Sequence, residues 1–157
     1  AHRLPLSASH KHLWVLHQLY PNTSAYHIAL SLEIKGKIDV VGLQKSIQNI
    51  VNRHDSLRMI FLQGENQPYI KVLPAVEIDL SVIRIDTEAS VDKVLGRYRT
   101  MAVKTPFDLE KGPLLRTQLI QKAESCYELI LVLHHLIADG WSRGIFLGEL
   151  ATHYQNY

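Results

Sequence analysis

The hydrophobic pattern is most informative where an apolar run ends in two histidines. Leu129 to Leu133 are apolar in succession, which predicts a strand buried on both faces. Because side chains alternate along a strand, His134 and His135 are expected to point to opposite faces. Only one of the two imidazoles can then serve a given pocket.

Helical spacing of apolar residues predicts four helices. The capping residues Ser7, Asp39 and Ser142 are expected to begin three of them. The fourth spans roughly residues 90–104 and turns one apolar stripe inward. Its inward residues are expected to be Val91, Val94, Leu95, Tyr98, Met101 and Ala102.

Strand periodicity predicts the remaining elements. Strands are expected at residues 26–34, before Phe61, at 69–73, 78–85 and 114–120, and from Cys126 onward. A turn rich in Gly, Asn and Pro precedes residues 69–73, so this segment is expected to form a hairpin with the strand that ends at Phe61. Hairpins mixed with crossovers predict an α+β fold rather than a doubly wound parallel sheet.

Length and composition narrow the class of protein. The 157 residues fit one domain, with 46% hydrophobic and 20% charged residues, as in ordinary globular proteins. A net charge of +2 without a dense basic block disfavours nucleic-acid binding. Because no apolar run reaches the length of a membrane span, no membrane partner is expected. The lone Cys126 excludes an internal disulfide and favours a reducing compartment such as the cytoplasm.

The histidine segment has the groups needed for proton transfer. A neutral imidazole accepts a proton near pH 7, and Asp139, four residues after His135, could orient it or stabilise the turn. Gly140 allows the backbone to reverse, and Trp141 is expected to exclude water. No serine or cysteine stands in a nucleophile motif. Direct transfer between two substrates is therefore favoured over a covalent enzyme intermediate.

Two other interpretations apply to the same residues. A histidine followed four positions later by an aspartate is a weak signal, and most such pairs are solvated neighbours. A metal site formed by His134, His135 and Asp139 is disfavoured, because adjacent strand residues diverge and no further ligand motif appears.

Four segments, in order, resemble the signatures of condensation domains of nonribosomal peptide synthetases. They are residues 6–19 with 24–26, residues 53–61 (Arg-His-Asp-Ser-Leu-Arg-Met-Ile-Phe), residues 106–116, and residues 134–142 (His-His-Leu-Ile-Ala-Asp-Gly-Trp-Ser). The first departs from the usual Ala-Gln-x-Arg, since it reads Ala8-Ser-His-Lys11. The last matches His-His-x-x-x-Asp-Gly, which argues against the heterocyclising relatives.

The resemblance implies an architecture of two lobes, each like chloramphenicol acetyltransferase, with a tunnel between them. Residues 1–157 are expected to be the N-terminal lobe, a mixed and mostly antiparallel sheet flanked by helices, without the C-terminal lobe. The sequence stops at Tyr157 inside a predicted helix, so we expect a piece of a longer chain. The expected neighbours in the parent are the C-terminal lobe and an adenylation domain.

The implied reaction is amide-bond formation between two carrier-bound substrates. The upstream peptidyl carrier protein presents a thioester on its phosphopantetheine arm, and the amine held by the downstream peptidyl carrier protein attacks it. The lobe itself is expected to bind no cofactor. Two alternatives stay open: a free-standing acyltransferase of the acetyltransferase type, and a module that docks carrier proteins without catalysis.

The resemblance also assigns roles to the histidine signature. His135 stands at the reaction centre, either as base on the amine or as the group that positions the amine and stabilises the tetrahedral species. Asp139 holds the loop through a salt bridge, and Gly140 leaves room for the pantetheine arm. His134 packs or hydrogen-bonds on the other face.

Further residues support the site by the same resemblance. Arg53 and Arg58 are candidates to brace the loop, with solvated helix-end charges as the alternative. Trp141 and Ser142, which follow Gly140, favour condensation over epimerisation. The isolated lobe is expected to be inactive, because half of the tunnel is missing.

Overall fold

The computed structural model describes residues 3–85 and 91–155. The helices are α1 (Ala8–Leu19), α2 (Val40–Arg53), α3 (Val91–Lys104) and α4 (Arg143–Gln155). The strands are β1 (Arg3–Pro5), β2 (His27–Lys35), β3 (Met59–Leu62), β4 (Tyr69–Val72), β5 (Leu80–Arg84), β6 (Leu115–Ala123) and β7 (Cys126–His134). Among the described residues the structure also has two 3₁₀ turns, Asp55–Arg58 and His135–Ile137; we name the second one the histidine turn.

A four-stranded sheet carries the apolar run. Its order is β2-β7-β6-β5, with β5 and β6 parallel and the other pairs antiparallel. Strand β7 therefore lies between two neighbours, and Leu129 to Leu133 are all buried. The prediction of a strand buried on both faces is confirmed, and so is the α+β class with a mixed, mostly antiparallel sheet.

A separate three-stranded sheet has the order β1-β4-β3 and is antiparallel throughout. The predicted hairpin is confirmed, since Met59 pairs with Val72 and Leu62 with Tyr69. Strand β1 was not expected. Three residues are too few for a periodicity to show, and β1 is a strand only because β4 supplies hydrogen bonds from far along the chain.

Local capping chemistry begins the helices as predicted. The Ser7 hydroxyl accepts from the backbone N–H of His10 at 3.2 Å. The Asp39 carboxylate accepts from Gly42 at 3.1 Å, and α2 follows directly. Such a bond satisfies one of the backbone donors that a helix start leaves free. These contacts lie within three residues in sequence, so the sequence alone could reveal them.

The helices cover both faces of the four-stranded sheet. Helix α4 lies over the face that presents Leu129 and Leu131, where Phe146 packs, and α2 joins it through Leu43 beside Leu32 of β2. Helix α3 covers the opposite face, over Ile130 and Val132. None of the helices among the described residues is long and apolar enough to cross a bilayer.

The prediction for one residue of α3, Met101, is wrong, because this residue is exposed and not in the core. Met101 is 62% exposed, whereas Leu95 is buried and Tyr98 and Ala102 are half-buried against the sheet. Helix α3 packs on one sheet face only, so its buried stripe is narrow. Met101 lies at the border of that stripe and faces water.

Candidate active site

The candidate site lies where β7 ends. His134 is the last residue of the strand, and His135 is the first residue of the histidine turn. The His134 side chain is buried at 1% exposure, whereas His135 is exposed. The predicted divergence of the two side chains is present, but its cause was wrong, because only His134 belongs to the strand.

Two hydrogen bonds hold His134. Its backbone N–H donates to the carbonyl of Leu114 at 2.9 Å, and its Nδ1 accepts from the backbone N–H of Leu136 at 3.1 Å. An accepting Nδ1 carries no proton, so the neutral ring is protonated on Nε2. Burial, reinforced by neighbouring imidazoles, lowers the pKa of His134 to about 3. The ring therefore remains uncharged at neutral pH.

Three aromatic rings surround His134. Its centroid lies 5.7 Å from that of His27, 5.8 Å from that of His17 and 6.1 Å from that of Phe107. These rings come from β2, from α1 and from the loop after α3. Segments far apart in sequence thus form an enclosure around His134. Burial also lowers the pKa of both His17 and His27, which favours their neutral forms.

The C-terminal end of α3 is anchored beside this enclosure. The Nδ1 of His27 contacts the carbonyl of Val103, and the guanidinium of Arg116 donates to Ala102 at 2.8 Å and to Thr105 at 2.6 Å. Donors at this end satisfy carbonyls that have no partner within the helix. Burial lowers the pKa of Arg116 to about 10, so it keeps its positive charge near neutrality.

The backbone on both sides of His135 is fixed. Its N–H donates to the carbonyl of Tyr26 at 2.7 Å, next to His27 on β2. Its carbonyl accepts from Ala138 at 3.2 Å, which closes the histidine turn. An exposed imidazole therefore stands on an ordered backbone, where a substrate can reach it.

Gly140 reverses the chain after the histidine turn. Its φ is +80°, a conformation that side chains disfavour, and no atom lies within 4 Å of the position that a Cβ would occupy. The Trp141 N–H donates across this reversal to the carbonyl of Ala138 at 2.9 Å. The predicted backbone reversal at Gly140 is confirmed, and the surrounding space is open.

Asp139 is exposed. Within residues 3–85 and 91–155 it forms no ion pair, so the salt bridge implied by the resemblance does not occur among them. A neighbouring residue connects this loop to the 3₁₀ turn before β3. The indole N–H of Trp141 donates to the Ser56 hydroxyl at 3.3 Å, and its ring packs edge-on against His54 at 4.7 Å.

Arg58 is buried within the turn that carries Ser56. It donates to the carboxylate of Asp55 at 2.7 Å and to the carbonyls of Val51 at 3.2 Å and Leu73 at 3.3 Å. Arg58 therefore orders the turn that Trp141 contacts, and its described partners do not include the histidine turn.

Arg53 lies at the end of α2 and is 65% exposed. Its guanidinium is 3.6 Å from Glu149 on α4, and His54 approaches the same carboxylate at 2.8 Å. These contacts join α2 to α4. Among the described residues, they place Arg53 at that helix pair and not at Asp139.

Ser142 begins α4, as predicted. Its hydroxyl accepts from the N–H of Ile145 at 3.1 Å, and its carbonyl accepts from Phe146 at 3.0 Å. The interpretation of His134, His135 and Asp139 as a metal site gains no support. In the part of the chain that the structure describes, no three His, Cys, Asp or Glu side chains are grouped to hold a metal ion.

Four residues near His134 carried no site assignment from the sequence: His17, His27, Phe107 and Arg116. Phe107 and Arg116 lie in residues 106–116, one of the four segments that carry the resemblance, but no role was assigned to them. His27 belongs to the polar face of β2, which could have indicated a polar neighbour across the sheet. Their convergence depends on strand order and register, which residue spacing does not reveal.

The comparisons with known proteins identify the family. The model of the condensation domain matches residues 1–157. The chain belongs to the condensation domain family. It is 36% identical over 156 residues to a linear gramicidin synthase of Brevibacillus parabrevis, covering 98% of this chain. It is 37% identical over 153 residues to malpinin synthetase of Mortierella alpina, covering 96% of this chain.

This condensation-domain chain spans only 2% of the length of each of those two relatives. A solved structure has the same fold: the starter condensation domain of rhizomide synthetase, with a TM-score of 0.89 and 22% identity. The match covers 98% of this chain and 37% of that domain. The fold of this chain therefore matches about a third of that solved chain.

Proposed function

We propose that this chain supplies the histidine signature for amide-bond formation in a nonribosomal peptide synthetase. The donor is a thioester on the phosphopantetheine arm of an upstream peptidyl carrier protein. The acceptor is the amine of an aminoacyl group on a downstream peptidyl carrier protein. The single observation that carries the proposal is the exposed His135, held on an ordered turn between buried His134 and the open Gly140.

We further propose that residues 1–157 are the N-terminal lobe of the domain. Coverage of 37% of a solved condensation domain, with nearly the whole chain aligned, supports this assignment. A C-terminal lobe would complete the tunnel, and an adenylation domain would load the acceptor carrier. The single Cys126 is consistent with a cytoplasmic parent.

In the proposed step, the amine nitrogen attacks the thioester carbonyl carbon. The C–N bond forms, the C–S bond breaks, and the upstream arm leaves as the thiol. The nitrogen loses one proton and the sulfur gains one. The imidazole of His135 is placed either to carry that proton or to orient the amine and stabilise the tetrahedral species. Asp139 is assigned to loop structure.

The supporting residues hold the loop in place in this proposal. Gly140 lets the chain reverse without filling the space that an incoming arm needs. Trp141 and Ser142 attach the loop to the 3₁₀ turn before β3 and to α4. Arg58 orders that 3₁₀ turn.

The test measures amide formation in single turnover, with both carrier proteins loaded, in the full polypeptide that carries this chain. His135→Ala is expected to lower the rate about 100-fold or more, in the range that loss of a proton-transfer group produces. His12→Ala is the matched control, because His12 is an exposed histidine on α1. A full rate in the His135 variant would refute the proposal.

A pH-rate profile separates the two roles of His135. A base produces a rate that falls as the imidazole becomes protonated, and His135→Gln then abolishes that limb of the profile. If His135 only positions the amine, His135→Gln keeps the acidic limb of the profile and mainly lowers the rate at every pH. Residues 1–157 alone are expected to give no sustained turnover, whereas an acetyltransferase-like enzyme would transfer acyl groups without the second lobe.

A further inference from the structure

We propose that His134 is a positioning residue for His135, and that His27 holds the His134 ring in the orientation this requires. The inference rests on the proposed function of His135. It concerns how the fold fixes the orientation of the His135 imidazole. It also assigns a role to His27, which lies outside the histidine signature.

The geometry fixes His135 from both sides. Its own N–H is bound to the carbonyl of Tyr26, and the next N–H in the chain, that of Leu136, is bound to Nδ1 of His134. The backbone torsions of His135 lie between these two bonds. Loss of the second bond frees the peptide after His135 and lets its imidazole swing. Because a displacement near 1 Å can cost about 100-fold in rate, such freedom matters for catalysis.

The Leu136 bond requires an uncharged His134. A protonated Nδ1 would be a donor facing the Leu136 N–H, so the bond would break. The surroundings oppose that charge. His17 from α1, His27 from β2 and His135 from the histidine turn each disfavour a further positive charge there.

Two charged groups stand farther out in the enclosure. Arg116 from β6 acts on His27 and adds to the positive side. Asp108, in the loop after α3, opposes it through His17. The apolar ring of Phe107 contacts both His134, at 6.1 Å between ring centroids, and the guanidinium of Arg116, 4.1 Å from the ring centre. Burial, reinforced by the neighbouring imidazoles, keeps His134 an acceptor.

His27 connects the ring to the rest of the fold. It pairs directly opposite His134 in the β2–β7 ladder, and its own ring lies beside that of His134. Its Nδ1 contact with Val103 holds this ring against the end of α3. The residue before it, Tyr26, supplies the carbonyl that binds His135. Two consecutive residues at the start of β2, Tyr26 just before the strand and His27 as its first residue, therefore contact both histidines of the signature.

The first experiment replaces His134 in the full polypeptide that carries this chain. In His134→Asn the side-chain oxygen occupies nearly the place of Nδ1 and can accept from Leu136. In His134→Leu the acceptor is lost, and in His134→Gln it lies one bond too far out. Readouts are amide hydrogen exchange at Leu136, and kcat and KM for the loaded acceptor carrier.

We expect His134→Leu and His134→Gln to speed exchange at Leu136 by about 10-fold or more, as loss of a structural hydrogen bond does. The same variants should lower kcat about 10-fold or more, with KM within about twofold, because only the aim of His135 changes. His134→Asn should restore both readouts toward wild type. If His134→Leu fails to fold, the Asn and Gln pair decides the comparison.

The second experiment replaces His27. In His27→Asn the amide group can still donate to the carbonyl of Val103, whereas His27→Leu has no donor. We expect only His27→Leu to shift the ¹⁵N resonances of the His134 ring and to speed exchange at Leu136. Equal behaviour of the two variants would overturn the role of His27.

Other outcomes separate this inference from the proposed function. Unchanged exchange at Leu136 in both His134→Leu and His134→Gln would overturn the positioning role, whatever the activity. Faster exchange with undiminished amide formation would overturn it as well. Faster amide exchange at Leu136 together with a fully active His135→Ala variant would overturn the proposed function. The bond between His134 and Leu136 would then have no catalytic role.

Discussion

The two ends of β7 solve the burial of a polar side chain in different ways. At one end, Glu128 is 4% exposed and charged, and Arg99 reaches it with two donors, one of them at 2.6 Å. Lys122 adds a third contact at 3.8 Å. At the other end, His134 is buried without charge and accepts one backbone hydrogen bond from Leu136.

Both side chains project from the same sheet face, since six residues separate them along one strand. A charge buried with its partners fixes α3 to the sheet. A neutral ring buried among other rings can hold a backbone turn without attracting a counter-ion into the site. The comparison shows that this strand places full charge away from the proposed chemistry and keeps the side chain behind His135 uncharged.

Breaking the charged end is expected to destabilise the fold. Arg99→Met leaves the Glu128 carboxylate buried without the two hydrogen bonds that Arg99 donates to it. The free energy of unfolding should fall by about 2 kcal/mol, less than for a fully buried pair, because the Arg99 side chain is 51% exposed. Urea unfolding measures this loss. Arg97→Met, an exposed position on the same helix, is the control and should change stability by less than about 0.5 kcal/mol.

The stability contributed by the two ends of β7 should be lost in different pH ranges as the solution is acidified. The folded state lowers the pKa of His134 to about 3, so the unfolded chain binds more protons below about pH 6.5. Stability from this residue is complete above that pH and is lost as the pH falls, by at most about 1.4 kcal/mol per unit. Arg99 lowers the pKa of Glu128, so the charged end loses stability only below about pH 4.5.

Unfolding measured between pH 7 and pH 3 checks this order. His134→Asn should flatten the decline between pH 6.5 and pH 5, whereas Arg99→Met should flatten only the decline at lower pH. A decline that stays unchanged in His134→Asn would contradict the assignment of the upper range to this imidazole.

Two glycines sharpen the comparison, one near each end of β7. Gly140 follows the histidine turn, and Gly36 lies next to the charged end, where its N–H donates to Ser125 at 2.7 Å. Both have positive φ and open space where a Cβ would lie. Alanine at either should cost about 1 kcal/mol of stability. Only Gly140→Ala should also slow amide formation, and equal rates in the two variants would argue against a role of Gly140 in admitting the substrate.

The smallest effect concerns the bond between Trp141 and Ser56. Trp141→Phe and Ser56→Ala each remove it, and each should cost about 0.5–1 kcal/mol of stability. If the bond carries the effect, the double variant should lose little more than either single one. Fully additive losses would show that the two side chains stabilise the fold independently.

Local chemistry explains what the sequence could predict. The caps at Ser7 and Asp39 depend on neighbours within three residues, and the buried run of β7 follows from its composition. Gly140 has the positive φ that its place in the signature suggested. In each case the determining residues are adjacent or nearly adjacent in sequence.

Long-range contacts explain the rest. Strand β1 exists because β4 pairs with it, and Met101 is exposed because α3 meets only one sheet. His27 contacts Val103, 76 positions away, and no local sequence pattern predicts that contact. Asp139 illustrates the same limit, since a motif suggests a salt bridge without naming the partner.

The edge strand β2 has a backbone carbonyl at its midpoint that is already hydrogen-bonded by a side chain. Arg143, in the first turn of α4, donates through Nε and Nη2 to the carbonyl of Ser31, at 3.2 and 3.0 Å. Any further strand that lengthened the sheet along β2 would compete with this guanidinium for that oxygen. Arg143 also follows Ser142 directly. A strand added at β2 would therefore displace a side chain next to the residue that ends the Gly140 loop.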